Sequence, residues 1–600
     1  MLTGNATLCG AVDFRESRAS LRKVASGGLW PEVINHQRAD GLVQVAVNGY
    51  LVVDDVLLLG DNEKDRRLIL EKVALQEPEA FLRSIQNGNY TIAIHDAPNR
   101  RTRLISSWGG FLPLYLHADS NRLAFADSLA ALQELAGKSF APDEVGLAEL
   151  YWLGYQVGDR TALEGVSHIP PGVIVDIDWR SGQRSVKTWT RSGFEGSSLS
   201  AVSKDDPVEA FLALLRQACR RLKRPERRYG IKLSGGMDSR LLLACWEDKN
   251  IAAYTFGAAR SVETKIARRL AQSFGISFNE AVIEGDFFSE IQRPLIARFG
   301  IAEYFHAALL PAFVQTGCDL TLDGLLGDVL FGGLTLKRSG GLAAKVMNAF
   351  GLVPPPLEMK SHDEMAEYIF SQTAVGDGTF RVLHPDIHDK LDRQRDEVKH
   401  DIAAYLRSLP QERGFIGLYT DYILGNRSRR YISLQGASCR PEVETLYPYI
   451  DRDILQFAAG LDAATVAGKR FYMRVYRSIA SATNDLVSVN SLMPAGWPEG
   501  VQFIGRVARF GIETVGYRLA LLSGGRIDIG RINCNQWPRW IAFDQPLRSA
   551  ARAFMDSTGM LEGAKYDTAL RTSHRDHHIR GTRLMLTLSY CGLTGHAHAT

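Results

Sequence analysis

Along the first 190 residues, short apolar runs alternate with turn residues, a pattern typical of β-strands. A stiff Ile-Pro-Pro-Gly turn at residues 169–172 precedes two more such runs. Together they predict strands at residues 7–14, 42–47, 90–94, 102–106, 114–116, 122–125, 173–177 and 185–189. This density of short strands predicts packed antiparallel sheets with two or three helices outside them.

After residue 206 the pattern changes to alternating strands and helices. Asp206 is a predicted helix cap, with Pro207 at the first helical position. Strands are predicted at residues 229–233, 251–256 and 276–283, separated by helices that run through Leu243 and from Ser261 to Gly275. Such an alternation predicts a parallel sheet, with the functional site at the carboxyl ends of its strands. From about residue 340 the pattern is mainly helical.

These patterns divide the chain into two main domains, because 600 residues exceed what one core holds. The fold class predicted is α/β and α+β. Residues 1–190 form an antiparallel β-rich domain, and the small polar residues of 191–206 form a linker. Residues 207–600 form an α/β parallel-sheet domain with a helical extension.

The composition is that of an ordinary globular protein, with 45% hydrophobic and 23% charged residues. A net charge of +3 gives no reason to expect a nucleic-acid partner, and we predict none. The chain has no run of 18 apolar residues and no signal-peptide pattern at its start, so no membrane partner is expected. Seven dispersed cysteines are typical of reduced thiols. We therefore expect a cytoplasmic protein.

The sequence Ser-Gly-Gly-Met-Asp-Ser at residues 234–239 is the strongest chemical signal. Gly235 and Gly236 allow a tight turn after a buried strand, so that backbone N–H groups and the start of a helix can face a phosphate. Ser234 and Ser239 add hydroxyl donors. Asp238 would hold Mg²⁺ against phosphate oxygens. The loop lacks the lysine of G-x-x-x-x-G-K-[ST], and a plain strand-to-helix turn is the alternative.

This loop resembles the pyrophosphate loop of the N-type ATP pyrophosphatases, and its flanks resemble the synthetase domain of asparagine synthetases. The resemblance continues through residues 254–257, Glu263 and residues 324–333 (GLLGDVLFGG), which are similar to the family's second acidic motif. It implies an adenine nucleotide alpha hydrolase-like fold with ATP and Mg²⁺ as cofactors. The positions it implies are Asp238 and Asp328 for magnesium, Gly327 beside them, and Leu233, Phe256 and Gly257 around the adenosine.

Two later segments resemble the same family. Residues 443–451 (VETLYPYID) are similar to its VExRxPFLD segment, which makes Glu444 a candidate for the catalytic site. Residues 468–471 (GKRF) resemble the place where a cation steadies the α-phosphate. Both Lys469 and Arg470 are candidates for that cation, and Lys469 is preferred.

The N-terminal part resembles the Ntn-type glutaminase domain of asparagine synthetases at residues 88–96, 113–128 and 169–172. Glutaminases of this class use a cysteine at the mature N-terminus, whose α-amine activates the thiol. Position 2 is Leu2, and Cys9 lies inside a predicted strand, where we expect a buried small hydrophobe. The domain is therefore predicted to be a degenerate amidotransferase that serves as a scaffold.

A second departure concerns the acidic motif, where asparagine synthetases carry Glu and β-lactam synthetases Tyr at about the place of Leu325. Leucine cannot act as an acid or base. The partner position falls near residues 421–426, where Asp421 is a candidate base for an α-amine, with a surface carboxylate as the alternative. Two interpretations of the basic run at residues 427–430 stay equally open. It contacts peptide or phosphate, or it is an ordinary charged surface.

Together these features resemble the lasso peptide cyclases. These enzymes adenylate an Asp or Glu side chain of a precursor peptide and join it to the peptide's N-terminal amine as an isopeptide bond. The implied partner is a precursor peptide, with a leader peptidase and a leader-binding protein as further candidates. Two alternatives remain: a synthetase of small amides or β-lactams, and a non-catalytic scaffold protein.

Overall fold

The computed structural model describes residues 8–23, 33–74, 78–190, 206–283, 292–331, 346, 350, 359–373, 385–440, 442–461, 463–466, 469–479, 483–534, 536–557, 589 and 593. Of the predicted linker it describes only Asp206. The linker prediction therefore lies outside the described residues, and the domain boundaries stay predictions. Gly468 and residues 332–333 of the quoted motifs lie outside them as well.

The N-terminal domain is built from two antiparallel sheets. Its strands are β1 (Leu8–Asp13), β2 (Arg18–Lys23), β3 (Ile34–Arg38), β4 (Gly41–Val53), β5 (Val56–Leu58), β6 (Asn87–Asp96), β7 (Arg101–Ser106), β8 (Tyr115–Ala118), β9 (Arg122–Ala126), β10 (Val166–His168), β11 (Val173–Asp178) and β12 (Arg184–Thr188). The first sheet has the order β10-β8-β9-β1-β2. The second has the order β12-β11-β7-β6-β4-β3, with β5 beside β4.

Apolar side chains from both sheets fill the space between them, including Val12, Phe125, Ala93 and Val175. The helices of this domain are α1 (Glu63–Ile69), α2 (Glu79–Ser84), α3 (Leu129–Ala136) and α4 (Glu144–Leu153). The predicted antiparallel architecture is confirmed. The described residues contain four helices where two or three were expected, because the apolar spacing of segments this short is ambiguous.

The C-terminal domain contains a five-stranded parallel sheet of order β15-β14-β13-β16-β17. Its strands are β13 (Tyr229–Lys232), β14 (Ile251–Gly257), β15 (Phe278–Val282), β16 (Leu320–Leu322) and β17 (Glu444–Leu446). Helices α5 (Pro207–Arg221), α6 (Met237–Trp246), α7 (Val262–Phe274), α8 (Arg293–Phe299), α9 (Tyr304–Val314) and α10 (Gly327–Leu330) accompany it. The predicted cap of α5 is confirmed, since the Asp206 carboxylate accepts the Val208 N–H at 3.0 Å.

The rest of this domain is helical, as predicted. It consists of α11 (His362–Thr373), α12 (Pro385–Arg393), α13 (Arg395–Ser408), α14 (Gly414–Ile423), α15 (Leu434–Ala437), α16 (Arg452–Gly460), α17 (Ala463–Val466), α18 (Arg470–Ile479), α19 (Glu499–Leu522), α20 (Trp537–Phe543) and α21 (Gln545–Asp556). Helix α14 continues directly into a π-helix at Leu424–Ile432. Among the described helices, none combines the length and the apolar character needed to cross a bilayer.

Charged and polar contacts join the two domains. The Arg221 guanidinium on α5 pairs with Asp55 at 2.6 Å and with Asp451 at 2.8 Å. The Tyr50 hydroxyl of β4 accepts the N–H of Tyr447 at 2.9 Å. Because Tyr50 and Tyr447 are both almost fully buried, the two domains meet over a closely packed surface.

Two arginines of the predicted basic run belong to this interface. Arg429 donates to the carbonyls of Gly158, at 3.3 Å, and of Ile169. Arg430 donates to the carbonyls of Gly158 at 2.9 Å and Arg160 at 2.7 Å. Burial, followed by the charge of Arg430, lowers the pKa of Arg429 to about 9. These two guanidiniums therefore bind the backbone of the N-terminal domain.

We expect Arg429→Met to lower the free energy of unfolding by about 3 kcal/mol, because it leaves buried carbonyls without a donor. Urea-induced unfolding followed by tryptophan fluorescence measures the loss. The control is Arg67→Met, which removes an exposed ion pair with Glu71 and should leave the free energy of unfolding nearly unchanged. Equal losses in the two variants would contradict the assignment of Arg429 to a buried interface.

Candidate active site

The glycine loop links the carboxyl end of β13 to the first turn of α6, as predicted. Gly235 has φ +66°, and a Cβ on it would lie 3.1 Å from the Cγ2 atom of Ile266 and 3.4 Å from the Cβ atom of Val489. Gly236 is the N-cap of α6. The loop therefore turns tightly and leaves the start of α6 to face an anion.

A second loop brings Asp328 against this helix start. A Cβ on Gly327 would lie 2.9 Å from Oδ1 of Asp238, and one on Gly324 would lie 2.9 Å from the Asp238 Cβ atom. Only glycine permits so close an approach at these two positions. The hydroxyl of Tyr472 on α18 donates to Oδ1 of Asp238 at 2.6 Å. The two aspartates thus meet at the carboxyl ends of the adjacent strands β13 and β16.

The electrostatics of this pair are unfavourable without a cation. Burial, followed by the negative charge of Asp328, raises the pKa of Asp238 to about 7. The Tyr472 hydrogen bond and the charge of Lys469 act in the opposite direction. Nζ of Lys469 lies 2.7 Å from Oδ2 of Asp328. Lys469 itself has φ +62°, and Leu326, two residues before Asp328, has φ +76°, so the backbone is strained where the charges meet.

The residues present fit Mg²⁺. Among the described residues no group of three or more His, Cys, Asp or Glu side chains could hold a metal. Mg²⁺ is commonly held by one or two carboxylates, with substrate phosphates completing its oxygen ligands. Asp238 and Asp328, beside the helix start, supply that donor set, and a divalent cation would relieve the repulsion that raises the pKa of Asp238.

The expected adenosine border lies at the end of β14. Leu233 and Phe256 are buried there, and a Cβ on Gly257 would lie 2.6 Å from the Cβ atom of Cys534. The Ala258 N–H donates to the Cys534 carbonyl at 2.9 Å. Residues near 534 thus border the site, although nothing in the sequence beyond about residue 490 pointed to it. No local motif marks them, because these contacts join residues far apart in the chain.

The remaining predicted site residues lie in different surroundings. The Lys469 ammonium reaches the acidic pair, whereas the side chain of Arg470 is exposed to solvent. Glu444 forms a buried ion pair with Arg440. Burial and, to a smaller extent, the charge of Asp421 raise the pKa of Tyr405 on α13 to about 12. The catalytic roles of these residues stay predictions.

Cys9 lies in the middle of β1. Its backbone pairs with Arg22 on one side and Ala126 on the other. A buried small hydrophobe was expected here; Cys9 does pack against a hydrophobic cluster, but it is only half-buried at the edge of that cluster.

A parallel sheet with a phosphate loop and two converging carboxylates defines the site of an ATP-dependent ligase. Residues 210–479 match the family model described as asparagine synthase, and residues 65–190 match the model described as glutamine amidotransferase domain. Residues 210–479 therefore carry an asparagine synthase domain, and the protein is an AMP-forming amide ligase that uses ATP to make a carbon–nitrogen bond.

Two solved structures overlap about half of the chain. The first is the allosteric regulatory enzyme of purine biosynthesis, at 9% identity and TM-score 0.21, which covers 48% of this chain and 76% of that chain. The second is the glutamine phosphoribosylpyrophosphate amidotransferase from B. subtilis complexed with ADP and GMP, at 9% identity and TM-score 0.19, with coverage of 47% and 76%. No curated protein sequence matches this chain.

Without divalent cations, Asp238 should make stability depend on pH. An unfolded aspartate loses its proton near pH 4, whereas Asp238 in the folded protein keeps it up to about pH 7. The carboxyl's contribution to stability therefore falls as pH rises through this window and is constant above it. We expect Asp238→Asn to abolish that fall.

The melting temperature of the variant minus that of the wild type, measured in EDTA by calorimetry, should be larger at about pH 8 than at about pH 5. Asp396→Asn, at a side chain that is 97% exposed, is the control and should show no such trend. A difference that stays constant with pH for Asp238→Asn would contradict the raised pKa.

Proposed function

We propose that this ligase is a lasso peptide macrocyclase. It adenylates an Asp or Glu side chain of a precursor peptide and joins it to the peptide's N-terminal amine, releasing AMP and pyrophosphate. The observation that carries the adenylation step is the convergence of Asp238, Asp328 and Lys469 beside the glycine loop. Such fixed groups can stabilise charge that grows as pyrophosphate leaves.

Each part of the site has a role in this proposal. The N–H groups at the start of α6 bind the phosphates, and Leu233, Phe256 and Gly257 border the adenosine. Asp238 and Asp328 would hold Mg²⁺, and the metal would neutralise phosphate charge. A substrate carboxylate oxygen attacks the α-phosphorus and pyrophosphate leaves. The amine then forms the amide bond, and AMP departs with the electrons of the broken C–O bond.

Two positions support a peptide amine, in place of ammonia, as the nucleophile. Cys9 follows Leu8 within β1, so the nitrogen of Cys9 is a backbone amide and not the free α-amine that a catalytic cysteine of this class needs. At the acidic turn, the buried side chain of Leu325 belongs to the apolar core and cannot exchange a proton. Both observations favour an asparagine synthetase-like ligase that takes its amine from the substrate.

The direct test is incubation with ATP, Mg²⁺ and a leader-free precursor peptide. We expect AMP, pyrophosphate and a product lighter than the peptide by one water. Asp238→Ala and Asp328→Ala should each lower pyrophosphate release by about 100-fold or more, because the phosphate charge loses its partner. Asp396→Ala is the exposed control.

Formation of ADP, or full activity in either alanine variant, would contradict adenylation at this site. Pyrophosphate release triggered by aspartate or an N-carboxyalkyl amino acid without peptide would favour the small-molecule alternative.

The choice between the two candidate cations has its own test. Lys469→Met should lower the rate of pyrophosphate release at saturating ATP by about 50-fold or more, since it removes the only cation that the described structure pairs with Asp328. Arg470→Met changes the neighbouring exposed charge and should keep the rate within about threefold. The opposite ranking would assign the α-phosphate contact to Arg470.

A further inference from the structure

A second charged cluster lies at the same edge of the parallel sheet. Helix α9 comes after β15 and α8 and leads back to the start of β16, so its N-terminus lies at the carboxyl edge, where ligands bind in such sheets. Glu303 is the N-cap of this helix, and its backbone N–H donates to Nδ1 of His306 at 3.0 Å. The Tyr431 hydroxyl donates to Oε1 of Glu303 at 2.6 Å.

Hydrogen bonds connect this cluster to the phosphate loop. Lys232, the last residue of β13, donates from Nζ to Oε1 of Gln435 at 2.9 Å. The Gln435 amide donates to the carbonyl of Phe305 at 3.0 Å. Phe305 lies two residues after Glu303, and Lys232 lies two residues before Ser234. The carboxylate is therefore held on the same framework as the loop that binds the nucleotide.

Arg427 supplies a positive charge beside this carboxylate. It lies four residues before Tyr431 in the π-helix, and its charge acts on the Glu303 carboxyl. Unlike its interface neighbours Arg429 and Arg430, Arg427 is half-buried, and its guanidinium makes no hydrogen bond to the residues that the structure describes. The charge of Arg427 thus lies close enough to the Glu303 carboxyl to favour its ionised form.

The geometry points to Glu303 as the general base that takes the proton of the attacking amine. This inference rests on the proposed function, because it requires an amine nucleophile. The amine's lone pair forms the bond to the acyl carbon, its proton passes to the Glu303 carboxylate, and the C–O bond to AMP breaks with its electron pair leaving on AMP. Arg427 favours the charged carboxylate, and Tyr431 fixes its orientation.

The titration of this carboxyl suits the task. Burial raises the pKa of Glu303 to about 7, against the Tyr431 hydrogen bond and the charge of Arg427, which lower it. His306, on the same helix, is neutral because burial lowers its pKa to about 3. A base with a pKa near 7 matches an α-ammonium group whose pKa is about 8. The charge of Asp421, in contrast, helps to raise the pKa of Tyr405 on α13.

The test separates adenylation from amide formation in the full-length enzyme with ATP, Mg²⁺ and precursor peptide. Glu303→Gln should keep peptide-dependent ATP–pyrophosphate exchange within about threefold while cyclisation slows by about 100-fold or more. Glu280→Gln, on β15, is the matched control and should leave both rates unchanged. Retained exchange also shows that the Glu303→Gln protein is folded.

A second variant reads the protonation directly. Tyr431→Phe removes a hydroxyl whose hydrogen bond lowers the pKa of Glu303, so the pKa of Glu303 should rise. The acidic limb of the pH profile of the cyclisation rate should therefore move to higher pH. Wild-type cyclisation by Glu303→Gln, or an unmoved limb in Tyr431→Phe, would overturn the assignment of the base alone. A wild-type enzyme that catalyses exchange but never cyclises peptide would refute the proposed function and the base with it.

Discussion

The mutual repulsion of Asp238 and Asp328 is the constraint on which the site depends. Burial and like charge make the pair unfavourable by itself, as the raised pKa of Asp238 shows. The fold holds it together through the close approach of Gly327, the Tyr472 hydrogen bond and the Lys469 ammonium. A site that is strained without its ligands gains most from binding a cation and a phosphate, and this couples stability to function.

The interface between the domains positions the residues around Glu303, the base proposed for amide formation. The π-helix that carries Arg429 and Arg430 into the N-terminal domain also presents Arg427 and Tyr431 to Glu303. The N-terminal domain therefore orients a helix that serves the synthetase domain. This explains in physical terms how an amidotransferase-like domain can contribute to the enzyme as a scaffold.

Much of the fold could be predicted from local pattern. The runs at residues 102–106 and 173–177 became β7 and β11, and the Asp206 cap was read correctly. Strands β16 and β17 were missed because each has only three residues and owes its strand geometry to its partners in the sheet. Glu303 was missed for a related reason, since no motif surrounds it and its partner Tyr431 is 128 residues away.

The sequence by itself determined the phosphate loop, since its two glycines and the helix after them are local properties of the backbone. It also indicated the family, through motifs whose order is read along the chain. Only the tertiary structure decided which distant groups meet: Lys469 at Asp328, Arg429 at the N-terminal domain, and Cys534 beside Gly257. The physical reason is that burial and charge–charge contact depend on how separate elements pack, and no local pattern encodes that packing.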